Sequence, residues 1–114
     1  MSAENCLFCR IGRGEIPSEK VFEDDSVLAF QDIHPAAPVH FLIMPKSHVD
    51  SLLTSGPEHE AVLGKMVALA TRLAKEQGCD NGFRLVINNG PDGGQEVNHL
   101  HIHILGGPRP WKRL

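Results

Sequence analysis

The chain has 114 residues, 41% of them apolar, with 11 basic and 14 acidic side chains and a formal net charge of −3 at neutral pH. That length suits a single domain over residues 1–114 with a real core. The mildly negative balance, with no basic run, argues against a nucleic-acid partner, and no apolar stretch approaches the ~20 residues that cross a bilayer.

The opening "MSAENCLFCR" carries acid and amide rather than a basic segment leading into an apolar one, so no signal peptide is expected and the chain reads as cytoplasmic. Cys6, Cys9 and Cys79 make an odd count, and Cys6-x-x-Cys9 points to metal or redox chemistry before a structural disulfide. "LFCRIGRGEIP" predicts a short helical turn ending near Gly12–Gly14 and Pro17. "KVFEDDSVLAFQDI" predicts a hairpin of Lys20–Glu23 and Val27–Gln31 around a turn at Asp24–Ser26. "VHFLIMP" is an apolar strand stopped by Pro45, and "SHVDSLLTS" suits a short helix. "SGPEHEAVLGKMVALATRLAKEQG" is the clearest helix. Val62, Leu63, Met66, Val67, Ala70, Leu73 and Ala74 follow its period, Ser55-x-x-Glu58 resembles a capping box, and Gly78 is a natural stop. "FRLVINN" is a strand, the turn-rich "GPDGGQ" follows, and "NHLHIHILGG" closes the sheet. The sum is an α+β domain: an antiparallel sheet of about five strands with one long helix on a face and short helices besides.

The last strand poses the functional question. Strand geometry sends His99, His101 and His103 to one face and Leu100, Ile102 and Ile104 to the other. Three aligned imidazoles fit a polar surface edge, a metal site, or catalysis at phosphorus. Neutral imidazole is nucleophilic, does not repel an anionic phosphate, and titrates near pKa ~6.5. One central histidine could attack while its neighbours donate hydrogen bonds to phosphoryl oxygens. The Gly-rich "NNGPDGGQE" just before the triad, whose backbone could form an anion-binding nest, favours the phosphate reading.

"HLHIHIL" fits the His-φ-His-φ-His-φ-φ pattern (φ apolar) of the histidine triad (HIT) superfamily. "EIPSEKVFEDDSVLAFQDIHPAAPVHFLIMPKSH" and "GFRLVINNGPDGGQEVNHLHIHILGG" resemble its nucleotide-binding, Hint-like branch over nearly the whole chain. That resemblance implies a purine nucleoside phosphoramidate hydrolase, acting on AMP- or GMP-type substrates through a nucleotidyl-histidine intermediate and releasing a nucleoside 5′-monophosphate and an amine. No cofactor is required for the chemistry. His101 matches the nucleophile, and His103 matches the residue that hydrogen-bonds the phosphate and assists the departing amine. His99 is the third triad member, and His40 matches a histidine behind the nucleophile, where it would orient His101. Asp32 matches a ribose-binding acid, Phe8, Phe30 and Ile33 an apolar slot for the base, Asn88 a phosphate contact, and Gly94, Gln95 and Glu96 the phosphate loop. The pattern departs at Glu96, where members often carry serine. A carboxylate cannot donate to a phosphoryl oxygen, so Glu96 either offers its backbone, the favoured reading, or meets the cationic amine. Alternatives are a dinucleoside polyphosphate hydrolase and a non-catalytic nucleotide-binding or scaffold protein.

The N-terminal cysteines and the sheet edges add two expectations. The spacing of Cys6 and Cys9 suits two thiolates on one tetrahedral ion and needs two more ligands, which histidines must supply. Bacterial triad proteins with a similar start imply His48 and His99, hence a structural zinc ion on Cys6, Cys9, His48 and His99. Open sheet edges in so small a domain suggest a homodimer. The resemblance implies that its sheet continues across the two-fold axis, with "PRPWKRL" reaching towards the partner's site. Trp111 fits either that role or local packing over the sheet.

Overall fold

Residues 5–111 are described by a computed structural model. Its strands form where apolar residues alternate or run together: β1 (Lys20–Glu23), β2 (Val27–Gln31), β3 (Val39–Pro45), β4 (Phe83–Val86) and β5 (Ile102–Gly106). They pair antiparallel throughout, in the order β1-β2-β3-β5-β4. Helix α1 (Leu7–Gly12) precedes the sheet in the chain, and the long helix α2 (Glu60–Glu76) links β3 to β4.

The two-residue period of the strands divides the core in two. Val27, Ala29, Phe41, Ile43, Ile102 and Ile104 face α2, where Met66, Ala70, Leu73 and Ala74 close the layer. Leu28, Phe30, Leu42 and Met44 point the other way, against Cys6, Phe8, Cys9 and Ile11 of the α1 segment. His40 and His103 share the parity of Leu42 and Leu105, since β3 and β5 pair as His40↔Leu105 and Leu42↔His103. The histidines therefore emerge on the α1 side of the sheet, opposite α2.

Several boundaries differ from the expectations. Helix α2 begins at Glu60; the Ser55/Glu58 capping box is absent, because Pro57–His59 form a 3-10 turn and Gly56 N–H donates to His59 Nδ1 at 2.9 Å. Gly78, at φ +92°, ends the helix as expected. Val67 is 51% exposed and so lies off the buried stripe. The segment around Ser51 makes one 3-10 turn, Leu52–Thr54, and β4 stops at Val86 rather than running to Asn89. The strand of histidines begins only at Ile102. Upstream of it the Leu100 N–H donates to Val49 O (2.7 Å) and the Pro45 carbonyl is taken by the His99 ring, so the ladder has no partners left to continue.

Candidate functional site

Three histidine rings, those of His40, His101 and His103, and the Asp32 carboxylate meet at the junction of β3, β5 and the segment before β5. His101 is 6% exposed, and its Nδ1 lies 2.6 Å from the backbone carbonyl of His99. A carbonyl only accepts, so Nδ1 carries the proton and Nε2 keeps its lone pair. Burial pushes His101 below the usual imidazole range, against the opposing effect of the His99 carbonyl bond, so the ring is a free base at neutral pH.

A second chain of bonds fixes His103. The Ala36 N–H donates to His40 Nδ1 at 3.0 Å, which leaves the proton of a neutral His40 on Nε2. His40 Nε2 lies 3.0 Å from His103 Nδ1, so His103 accepts there and carries its own proton on Nε2. The Asp32 carboxylate stands 3.4 Å from the same His40 nitrogen. Burial first, then the neighbouring His101 and His40, pushes His103 down to about 4; burial also lowers His40, against the attraction of Asp32. The rings of His101 and His103 lie 5.0 Å apart. The result is a lone pair on one ring beside an N–H donor on the next. His40 thus stands behind His103, not behind His101, whose second nitrogen is already held by His99.

Phe8 and Phe30 meet edge to face at 5.4 Å, and Phe8 also meets the His101 ring edge-on at 5.0 Å. Ile33 is 86% exposed beside Asp32, and Asn88 is half-buried just beyond β4. The glycine loop does not present a nest of free amides. The Gly93, Gly94 and Gln95 N–H groups turn inward to the Gly90, Pro91 and Gly90 carbonyls. The Gln95 side chain accepts from Gly90 N–H (2.9 Å) and donates to Asp50 O (2.6 Å) and Val97 O (2.9 Å), so it braces the loop. Exposed Glu96 follows it.

His99 belongs to a second cluster. Its Nε2–H donates to Pro45 O at 2.7 Å, leaving Nδ1 as a lone pair 3.3 Å from Cys6 Sγ and 3.5 Å from Cys9 Sγ. His48 repeats the pattern: Nε2–H donates to Asp50 Oδ1 at 2.7 Å, and Nδ1 faces Cys9 Sγ at 3.3 Å. The four donor atoms lie within 4.8 Å of one another. Four ligands at 2.0–2.3 Å from a tetrahedral ion would stand about 3.5 Å apart, so the donor set fits such an ion. Each imidazole has its outer nitrogen tied, as metal-ligating histidines do. Burial, then the Cys6 thiol beside it, pushes Cys9 up to about 11, so binding an ion there would displace a proton. Asp50, the Pro45 and His99 carbonyls and the Ala36 amide escaped the sequence reading. Only Asp50, two residues after His48, left a signal there.

A groove of about 710 Å³ lies elsewhere, lined by Cys79, Arg84, Arg109 and Trp111 among others. Trp111 packs locally, its indole N–H on Gly107 O at 3.0 Å and the Arg109 guanidinium 4.4 Å from its ring. The rest of the C-terminal segment, residues 112–114, falls outside the described residues.

The family described as HIT domain matches residues 13–109. The protein HitA of Neisseria gonorrhoeae is 51% identical over 105 residues, covering 92% of this chain and 98% of its own. The purine nucleoside phosphoramidase of Escherichia coli K12 is 45% identical over 106 residues, covering 92% and 89%. Among solved structures, a histidine triad protein from Clostridium difficile superposes with a TM-score of 0.90 at 49% identity, covering 96% of each chain. A HIT family hydrolase from Legionella pneumophila gives 0.89 at 46%, covering 92% and 95%.

Proposed function

The chain belongs to the HIT domain family, and from that premise we propose that it hydrolyses purine nucleoside 5′-phosphoramidates to the 5′-monophosphate and an amine. The observation that carries this reading is the pair of fixed tautomers: a lone pair on His101 Nε2 beside an N–H on His103 Nε2. The name of the Escherichia coli relative, purine nucleoside phosphoramidase, supports the substrate class.

In this proposal His101 Nε2 attacks the α-phosphorus and the P–N bond breaks. The nucleotide rests on the ring while the amine leaves with a proton from water. The hydroxide so formed then attacks phosphorus, breaks the bond to His101 Nε2, returns the lone pair to that nitrogen and releases the monophosphate. His103 Nε2–H donates to the phosphoryl group as charge builds there, a bond whose strength comes from its fixed direction. His40 is a positioning residue that holds His103 in the donating tautomer. Asp32 accepts the ribose hydroxyls, and Phe8, Phe30 and Ile33 flank the base. Asn88 and the Glu96 backbone meet the phosphate, beside a turn that Gly94 and Gln95 shape with their inward-facing amides.

The same proposal places zinc on Cys6, Cys9, His48 and His99, where it stabilises the fold; the closed ligand set leaves no position for an activated water. It also extends to a homodimer whose sheet continues across an edge strand, supported by the outermost place of β4 in the sheet.

The test is turnover of a fluorogenic adenosine phosphoramidate. Purified protein should hydrolyse it, and His101→Ala should abolish turnover while still binding AMP. Wild-type turnover in His101→Ala would overturn the reading.

A further inference from the structure

His99 serves both clusters at once. Its ring offers Nδ1 to the thiols of Cys6 and Cys9, while its backbone carbonyl holds Nδ1–H of His101. Whatever fixes the ring of residue 99 also fixes the carbonyl that aims His101. A second path runs through α1. Phe8 sits between the two cysteines in sequence, in the first turn of a helix of only six residues. A helix that short is far below the length that holds itself together, so its place depends on what its side chains grip. Cys6 and Cys9 grip the cluster, and Phe8 grips the site: its ring lies 5.0 Å from that of His101, 5.9 Å from that of His99 and 5.4 Å from that of Phe30.

We propose that the cluster of Cys6, Cys9, His48 and His99 and the nucleotide site are thermodynamically coupled, through the His99 carbonyl and through Phe8. A metal ion on the cluster and a nucleotide beside His101 therefore strengthen each other. The proposal rests on the nucleotide reading above and adds a regulator to that site. The ion does not touch substrate. It restrains the residues that do, so nucleotide binding to metal-depleted protein must first order α1 and residue 99. Linkage makes the effect reciprocal: if zinc tightens the nucleotide by some factor, the nucleotide tightens zinc by the same factor.

The experiment is a pair of titrations with zinc and AMP as probes. AMP affinity is measured by calorimetry on zinc-loaded and on chelator-stripped protein. Zinc affinity is measured on loaded protein by competition with a chromophoric chelator, with and without saturating AMP. The second arm needs no stable metal-free protein. Both arms should show the same factor, roughly five- to tenfold. In Phe8→Leu, with zinc bound, the factor should shrink towards one. Zinc affinity unchanged by saturating AMP overturns the coupling alone. Failure of AMP to bind the zinc-loaded protein overturns the nucleotide reading, and the coupling with it.

Discussion

His40 Nε2 lies 3.0 Å from His103 Nδ1, and the far nitrogen of His40 is held by the Ala36 amide at 3.0 Å. The line of bonds Ala36–His40–His103 assigns every proton along it and ends in an N–H donor beside His101. A buried imidazole pair without that line would be free to choose either tautomer, and half of the choices would present the wrong group.

Removing His40 should therefore damage turnover more than binding. His40→Ala should lower kcat by at least about tenfold, as expected for a misdirected hydrogen-bond donor to the phosphoryl group, with little change in AMP affinity. His40→Gln, which keeps a donor at the end of its side chain, should recover part of the loss. Equal kcat values for wild type and His40→Ala, by steady-state kinetics, would remove His40 from the mechanism.

The zinc assignment predicts close to one zinc per chain by mass spectrometry of protein purified without an affinity tag. Cys9→Ser should lose the ion and lower the thermal midpoint by at least about 5 °C, because metal binding to such a set is folding free energy. Metal-free protein with an unchanged midpoint after purification in the presence of zinc would contradict it.

Stability should fall as pH drops between about 6.5 and 4. His103 is pushed down to about 4 by burial and by its histidine neighbours, while in the unfolded chain it titrates near the ordinary value of 6.5. In that window the unfolded state binds a proton that the folded state refuses. Unfolding therefore gains on acidification, and the full contribution of the neutral ring is present above 6.5. His40, also lowered, adds in the same direction. Thermal midpoints of wild type and His103→Gln, followed across this range at matched zinc content, should show a shallower slope in the variant. Parallel slopes would refute the attribution.

The sheet leaves no room at Gly106. A Cβ built there would lie 2.3 Å from Cys79 Sγ and 3.1 Å from its Cβ. Gly106→Ala should destabilise by about 1–3 kcal/mol in chemical denaturation, the range for overpacking a core. Cys79→Ala should relieve part of that in the double variant. Additive losses would show that the two positions do not compete for the same space.

What was legible in the sequence was periodic. The β1–β2 hairpin, β3 and α2 follow from apolar spacing, and the face shared by His40, Leu42 and Met44 follows from alternation. The HIT resemblance assembled residues far apart in sequence, such as Cys6 with His99, which no local pattern joins. The partners that are backbone atoms stayed hidden. Nothing in the side-chain string says that Pro45 gives its carbonyl to His99, that His99 gives its own to His101, or that Ala36 donates to His40. Those bonds cut β5 short at Ile102 and moved His40 from His101 to His103. Gln95 misled for a related reason: the motif marks the loop, but only the fold shows its amide committed within it.

The central claim is that His101 attacks phosphorus and carries the nucleotide. The most direct test is hydrolysis, in isotopically labelled water, of an adenosine phosphoramidate made chiral at phosphorus, with the configuration of the released monophosphate read by phosphorus NMR. Two successive in-line displacements, first by the ring and then by water, predict retention of configuration. Inversion would mean that water attacks directly and would contradict the account.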